Sequence, residues 1–103
     1  MKTKNRSKFP DQKRLLALLY RKIGGLKAFS VKVGVSPQLA FFWREQGYIP
    51  LKRVTRIAKE LKVSPYALNF KGYSDFTGND SVSWKSIVND CKLSKEEVRF
   101  VLG

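Results

Sequence analysis

The strongest constraint on this chain lies in residues 26–43, LKAFSVKVGVSPQLAFFW, where two short helical patterns meet at Gly34. Leu26, Phe29, Ser30 and Val33 fall at i, i+3, i+4 and i+7, the spacing of a helix with one buried face. Gly34 tolerates the positive φ of a helix C-terminus, and Val35 is apolar enough to tuck into the corner behind it. Ser36 is an N-cap candidate, and Pro37 takes the first helical position, where its missing N–H costs nothing. A helix, a tight glycine turn and a capped second helix form the layout of a helix-turn-helix, whose second helix enters the major groove of DNA.

Such a shape is useful beside a polyanion, and the charge is distributed accordingly. The 103 residues carry a net charge of +13. Residues 1–71 hold 17 Lys and Arg against the three acids Asp11, Glu45 and Glu60, a balance of +14. Residues 72–103 hold four bases against five acids, a balance of −1. The basic excess therefore belongs wholly to the part that contains the paired helices, as expected of a nucleic-acid-binding surface. Acidic proteins and anionic lipid are the other partners open to a basic domain.

Histidine is absent and Cys91 is the only cysteine. That excludes an intrachain disulfide, a Cys/His zinc set and every catalytic arrangement that needs histidine. With eight carboxylates and no evident buried pair, the expectation is no enzyme, no metal and no cofactor. No run approaches the roughly 20 apolar residues of a spanning helix. The basic start, MKTKNRSKFPDQKR, is not followed by a small-residue cleavage site, so a cytoplasmic location is expected.

Residues 1–10 read as a basic flexible arm carrying Lys2, Lys4, Arg6 and Lys8. The arm is either a solubilising tail or an extension that tracks phosphate or enters a minor groove. A first helix from Asp11 or Gln12 to Ile23 buries Leu15, Leu19 and Ile23, widened by Leu16, Leu18 and Tyr20, and Gly24-Gly25 ends it. The pair around Gly34 follows, its second member spanning 37–46 and closed by Gly47. Leu51–Leu61 places Val54, Ile57, Ala58 and Leu61 on one face of a fourth helix. Ser64-Pro65 opens a short fifth helix through Leu68. The expected fold is all-α, a compact five-helix bundle over residues 11–70 with a C-terminal helical extension.

Residues 71–82 read as a linker, because Gly72, Gly78 and several turn formers interrupt the periodicity. Phe70, Tyr73 and Phe76 are expected to pack along the bundle. Residues 83–103 read as a helical pair. Trp84, Ile87, Val88 and Cys91 share one face, and Ser94-Lys95-Glu96-Glu97 is a capping box leading into Val98, Val101 and Leu102. A pair this small cannot stand alone; it covers the bundle or meets another chain.

Gly24-Gly25, Gly34-Val35-Ser36, Ala40, Trp43, Ile49-Pro50, Arg53-Val54, Val63-Ser64 and Leu68 together give residues 23–69 a family likeness. The segment resembles the Cro/YdaS-like phage and prophage repressors of the lambda-repressor-like helix-turn-helix superfamily. The resemblance implies a homodimer that binds a double-stranded DNA operator and represses a phage or prophage promoter. A CII-like transcriptional activator and an antitoxin or anti-repressor that binds protein are the alternatives. Ser30 departs from the family's usual alanine, which a hydroxyl survives by bonding back to its own helix.

At about 100° per residue, Leu39, Ala40 and Trp43 of the third helix face the core, while Gln38, Phe41 and Glu45 face outward. Gln38 can bond the N6/N7 edge of adenine bidentately, or meet phosphate or water. Phe41 either touches thymine methyl groups or is buried against the C-terminal helices or a dimer partner. Ser36 caps the helix and can touch phosphate. Phe42 flanks this surface near the core boundary, where packing is its expected role, and completes the candidate base-reading set of Ser36, Gln38, Phe41 and Phe42. Lys27, Lys32, Arg44, Lys52, Arg53 and Arg56 form the candidate phosphate-binding set, contacts that position a protein without reading sequence. Arg53 is also a place where the resembled family carries a base.

Overall fold

Most helices among the described residues begin at a side-chain cap or end on a residue of positive φ, which takes over backbone groups that a helix leaves unbonded. A computed structural model describes residues 11–78 and 83–102. The basic arm expected over residues 1–10 lies outside the described residues. Among those described there are eight helices and no strand: α1 Gln12–Ile23, α2 Leu26–Val33, α3 Pro37–Gln46, α4 Leu51–Leu61, α5 Pro65–Leu68, α6 Phe70–Thr77, α7 Trp84–Cys91 and α8 Lys95–Leu102. None is long and apolar enough to cross a membrane.

The carboxylate of Asp11 accepts the N–H groups of Lys13 and Arg14 and so starts α1. Ser36, Ser64 and Ser83 cap α3, α5 and α7 in the same way, each through its hydroxyl. At α8 the capping box is reciprocal. Glu97 accepts the Ser94 N–H at 2.8 Å while the Ser94 hydroxyl accepts the Glu97 N–H at 3.2 Å.

α1 is the central element and packs against α2, α3, α5 and α8. Its Leu15, Leu16, Leu18, Leu19 and Tyr20 are all buried. Around them close Phe29 and Val33 of α2, Ala40 and Trp43 of α3, Val54, Ile57 and Ala58 of α4, and Ala67 and Leu68 of α5. Ile87 and Cys91 of α7 and Val101 of α8 join the same core. The C-terminal helices thus cover the bundle, and α8 is tied to α1 by an ion pair between Lys22 and Glu97 at 3.1 Å.

One expected linker proves to be mostly helix. Phe70–Thr77 forms α6, ended by Gly78 in the left-handed conformation, and only the remainder of 71–82 lies outside a helix or outside the described residues. The start of α6 is made by Asn69, whose side-chain oxygen accepts the Gly72 N–H while its amide donates to the Ile49 carbonyl. Gly72 is no helix breaker here. A Cβ at this position would lie 2.8 Å from the Asn69 amide nitrogen, so glycine makes room for the cap. Gln12 adds a clamp between the two ends of the bundle, donating to the Ala67 carbonyl at 2.7 Å and accepting the Phe70 N–H at 2.9 Å. Phe70 and Tyr73 pack against the core as expected, but Phe76 does not: it is 69% exposed.

Candidate nucleic-acid interface

The turn between α2 and α3 is built from three consecutive residues. Gly34 adopts φ 74° and ψ 39°, and the N–H of Val35 closes back on the Ser30 carbonyl at 3.0 Å, the wrap that ends a helix on a left-handed residue. Val35 is half-buried against the core. Ser36 follows in extended conformation and accepts the Leu39 N–H at 3.1 Å, so its oxygen serves α3 as a cap. Ser30 is buried and its hydroxyl donates to the Lys27 carbonyl at 2.8 Å, which satisfies the polar group inside α2 itself.

α3 stands on two buried side chains, Ala40 and Trp43, with Leu39 partly buried beside them. A third fixing point comes from α1, where the Tyr20 hydroxyl donates to the Ala40 carbonyl at 2.8 Å. The Tyr20 ring stacks on Phe29 of α2 with centroids 3.9 Å apart. One side chain therefore holds α1, α2 and α3 in register. Burial pushes the Tyr20 hydroxyl well above the ordinary phenol range, a rise that nearby Arg44 only partly opposes. At α3's far end Gly47 has φ 92°, and its backbone passes so close to α1 that a Cβ there would lie 3.0 Å from the Lys13 Cβ.

The opposite side of α3 is open. Ser36, Gln38 and Glu45 are exposed, as are Phe41 at 48% and Phe42 at 59%. Phe42 departs from its sequence-based expectation. Its place near the core boundary predicts packing, yet Leu39, Ala40 and Trp43 already fill the inner arc and leave the ring outside. Burial of Phe41 against the C-terminal helices is likewise absent. Its ring instead carries the Arg44 guanidinium, 5.6 Å from the ring centroid.

The cations divide into two groups by how firmly they are held. Arg44 is half-buried over Phe41, and half-buried Arg53 lies over the Trp43 ring at 5.8 Å, which joins the first turn of α4 to α3. Lys27, Lys32, Lys52 and Arg56 are exposed. Lys27 and Lys32 occupy the first and last turns of α2, on opposite flanks of its outward face. Lys52 and Arg56 share one face of α4 with Lys59, a cation absent from the expected set although the spacing i, i+4, i+7 puts all three together. Among the described residues the ion pairs are Lys22–Glu97 and Lys71–Asp75, so none of the seven cations around α3 is neutralised by a carboxylate. The described residues also hold no group of three or more His, Cys, Asp or Glu side chains that could bind a metal ion.

Chemically, the surface combines amide and hydroxyl hydrogen-bonding groups, two exposed rings and an unneutralised cationic rim, all on short helices fixed to one core. Comparison with protein-family models, with curated proteins and with solved structures returned no match.

Proposed function

We propose that this chain is a sequence-specific, double-stranded DNA-binding transcriptional regulator, a Cro-like repressor of a phage or prophage promoter. In this reading α1–α5 are the five-helix bundle of the lambda-repressor-like class, α2 and α3 are its helix-turn-helix, and α6–α8 are the extension. α3 lies in the major groove, Gln38 reads an adenine edge, and the Ser36 hydroxyl approaches a phosphate while still capping the helix. Lys27, Lys32, Arg44, Lys52, Arg53 and Arg56, joined by Lys59, meet phosphates on either side. Cytoplasmic action as a homodimer, on half-sites about one helical turn apart, completes the reading.

The observation that carries it is the outward face of α3, unpacked along its length, beside cations that no carboxylate neutralises. A charged rim of that kind has its partner outside the chain. The likeness of residues 23–69 to the Cro/YdaS-like repressors supports the same assignment.

The test is selection of bound duplexes from a random pool, followed by fluorescence anisotropy on the winning site across a salt series. Neutralising six to eight phosphates gives a slope of log K against log salt of about −5 to −7. A flat dependence, or no enriched sequence, refutes the proposal.

A further inference from the structure

We infer that the base-reading surface of α3 is a detector of 5-methyl groups on pyrimidines, with Phe41 and Phe42 as its specificity-determining residues. The inference rests on the DNA-binding reading and names what that surface selects.

The commonest side chains for reading a major-groove base edge are Arg and Lys, paired with guanine O6 and N7. α3 carries one cation, Arg44, a half-buried residue whose guanidinium lies over the Phe41 ring. Guanine has no dedicated partner here. The outward arc holds instead an amide, Gln38, two benzyl groups that the core does not use, and in the last turn the carboxylate of Glu45, which no guanine acceptor can bond. Leaving two phenylalanines about half in water forgoes part of the stabilisation their burial would give, and the core is already closed by Ala40 and Trp43 beneath them.

The position of the rings then decides their partner. They project from the convex side of a helix, so in a duplex they meet base edges in the groove rather than the faces of stacked bases. The apolar feature on those edges is the C5-methyl of thymine, and cytosine acquires the same group when methylated at C5. Gln38 lies one helical turn before both rings, so adenine and 5-methylpyrimidine are read side by side. Arg44 lies over the Phe41 ring, a contact that limits the rotamer freedom that binding would otherwise remove.

The experiment uses the full chain and its selected duplex, with each dT replaced in turn by dU, which deletes one methyl and keeps every hydrogen-bonding group. Burying one methyl corresponds to about a fourfold change in affinity, and two to about 15-fold. The expected result is a loss of about fourfold at one or more positions. Restoration is expected when 5-methyl-dC replaces an unmethylated dC at a position where the selection tolerates either pyrimidine. Phe41→Ala and Phe42→Ala should erase the dT/dU difference at their respective positions and leave the salt slope unchanged. Phe41→Leu, which keeps an apolar tip, should retain part of it.

Tight, salt-dependent binding with no dT/dU difference anywhere overturns the inference while the proposed function stands. Failure to select any duplex removes both. Preference for single strands assigns the rings to base stacking and overturns it. So does a solution mass that falls on Phe41→Ala or Phe42→Ala with no dT/dU effect, since the rings would then belong to a second copy of the chain.

Discussion

Replacing Gly34 and Gly47 by alanine separates two different costs that a glycine at a helix end can hide. At Gly34, with φ 74°, a Cβ would meet no heavy atom within 4 Å, so the cost is purely conformational. An L residue held in the left-handed region costs about 1–2 kcal/mol. Restricting the unfolded chain returns about 0.4–1 kcal/mol of that, leaving a net loss of about 1 kcal/mol. At Gly47 the same conformational cost applies at φ 92°, but the added Cβ would also lie 3.0 Å from the Lys13 Cβ and 3.2 Å from its Cα. The second atom is backbone and cannot rotate away, so α1 and α3 must separate by a few tenths of an ångström. Overpacking of this kind adds about 1–3 kcal/mol, for a total near 3 kcal/mol. A domain of this size loses about 4–8 °C in Tm per kcal/mol. Thermal melts followed by circular dichroism should therefore show a fall of about 5 °C for Gly34→Ala and about 15 °C for Gly47→Ala. Gly34→Asn, which tolerates the left-handed region, should recover most of the smaller loss. Equal losses at the two sites, or a larger loss at Gly34, would refute the geometry of both turns.

Changing Lys52, Arg56 and Lys59 together to Gln should flatten the salt slope of DNA binding by about 2.7, at about 0.9 for each phosphate no longer neutralised. Tm should stay within about 3 °C, because these exposed cations repel one another along α4 and pair with no carboxylate. Glu97 is held below the usual carboxylate range, first by the Ser94 N–H and then by Lys22. Its stabilisation is accordingly complete above the unfolded-state value near 4.3 and disappears as pH falls through its lower folded value. An acid titration of Glu97→Gln against wild type should converge below about pH 4, with a difference at neutral pH no larger than about 1 kcal/mol for so exposed a pair. Lys22→Gln should leave most of that acid limb in place, since the backbone bond is the larger cause. Burial, reinforced by neighbouring Asp90, pushes the Cys91 thiol up to about 11. Native protein at pH 8 should react with a thiol reagent at least tenfold more slowly than denatured protein, and comparable rates would contradict the packing of α7.

Much of the helical layout was legible because its punctuation is local. Asp11, Ser36-Pro37 and Ser64-Pro65 begin helices through groups one to three residues away, and Gly24, Gly34 and Gly47 end them through their own backbones. Periodicity identified Leu15, Val54 and Ile57 as core for the same reason. α6 is hidden in the sequence because its logic is tertiary. Asn69 caps it while also bonding Ile49, and Gly72 resembles a breaker until the Asn69 amide is seen occupying the space of a side chain. Phe42 is misleading because an angle around a helix does not say how much room the core has left. The outward set of Gln38 and Phe41 was readable from that angle alone. The two cation–ring contacts, Arg44 on Phe41 and Arg53 on Trp43, were not, since they depend on rotamers and on how α4 approaches α3.

The burial of Val101 within the same core as Leu15 and Phe29 has a consequence for synthesis. A nascent polypeptide cannot seal its interior until residue 101 has left the ribosome, because α1 keeps part of its leucine-rich flank uncovered until then. Folding is therefore completed after, and not during, translation of the first five helices. A chain cut short upstream of that residue leaves the Val101 site of the core open to water.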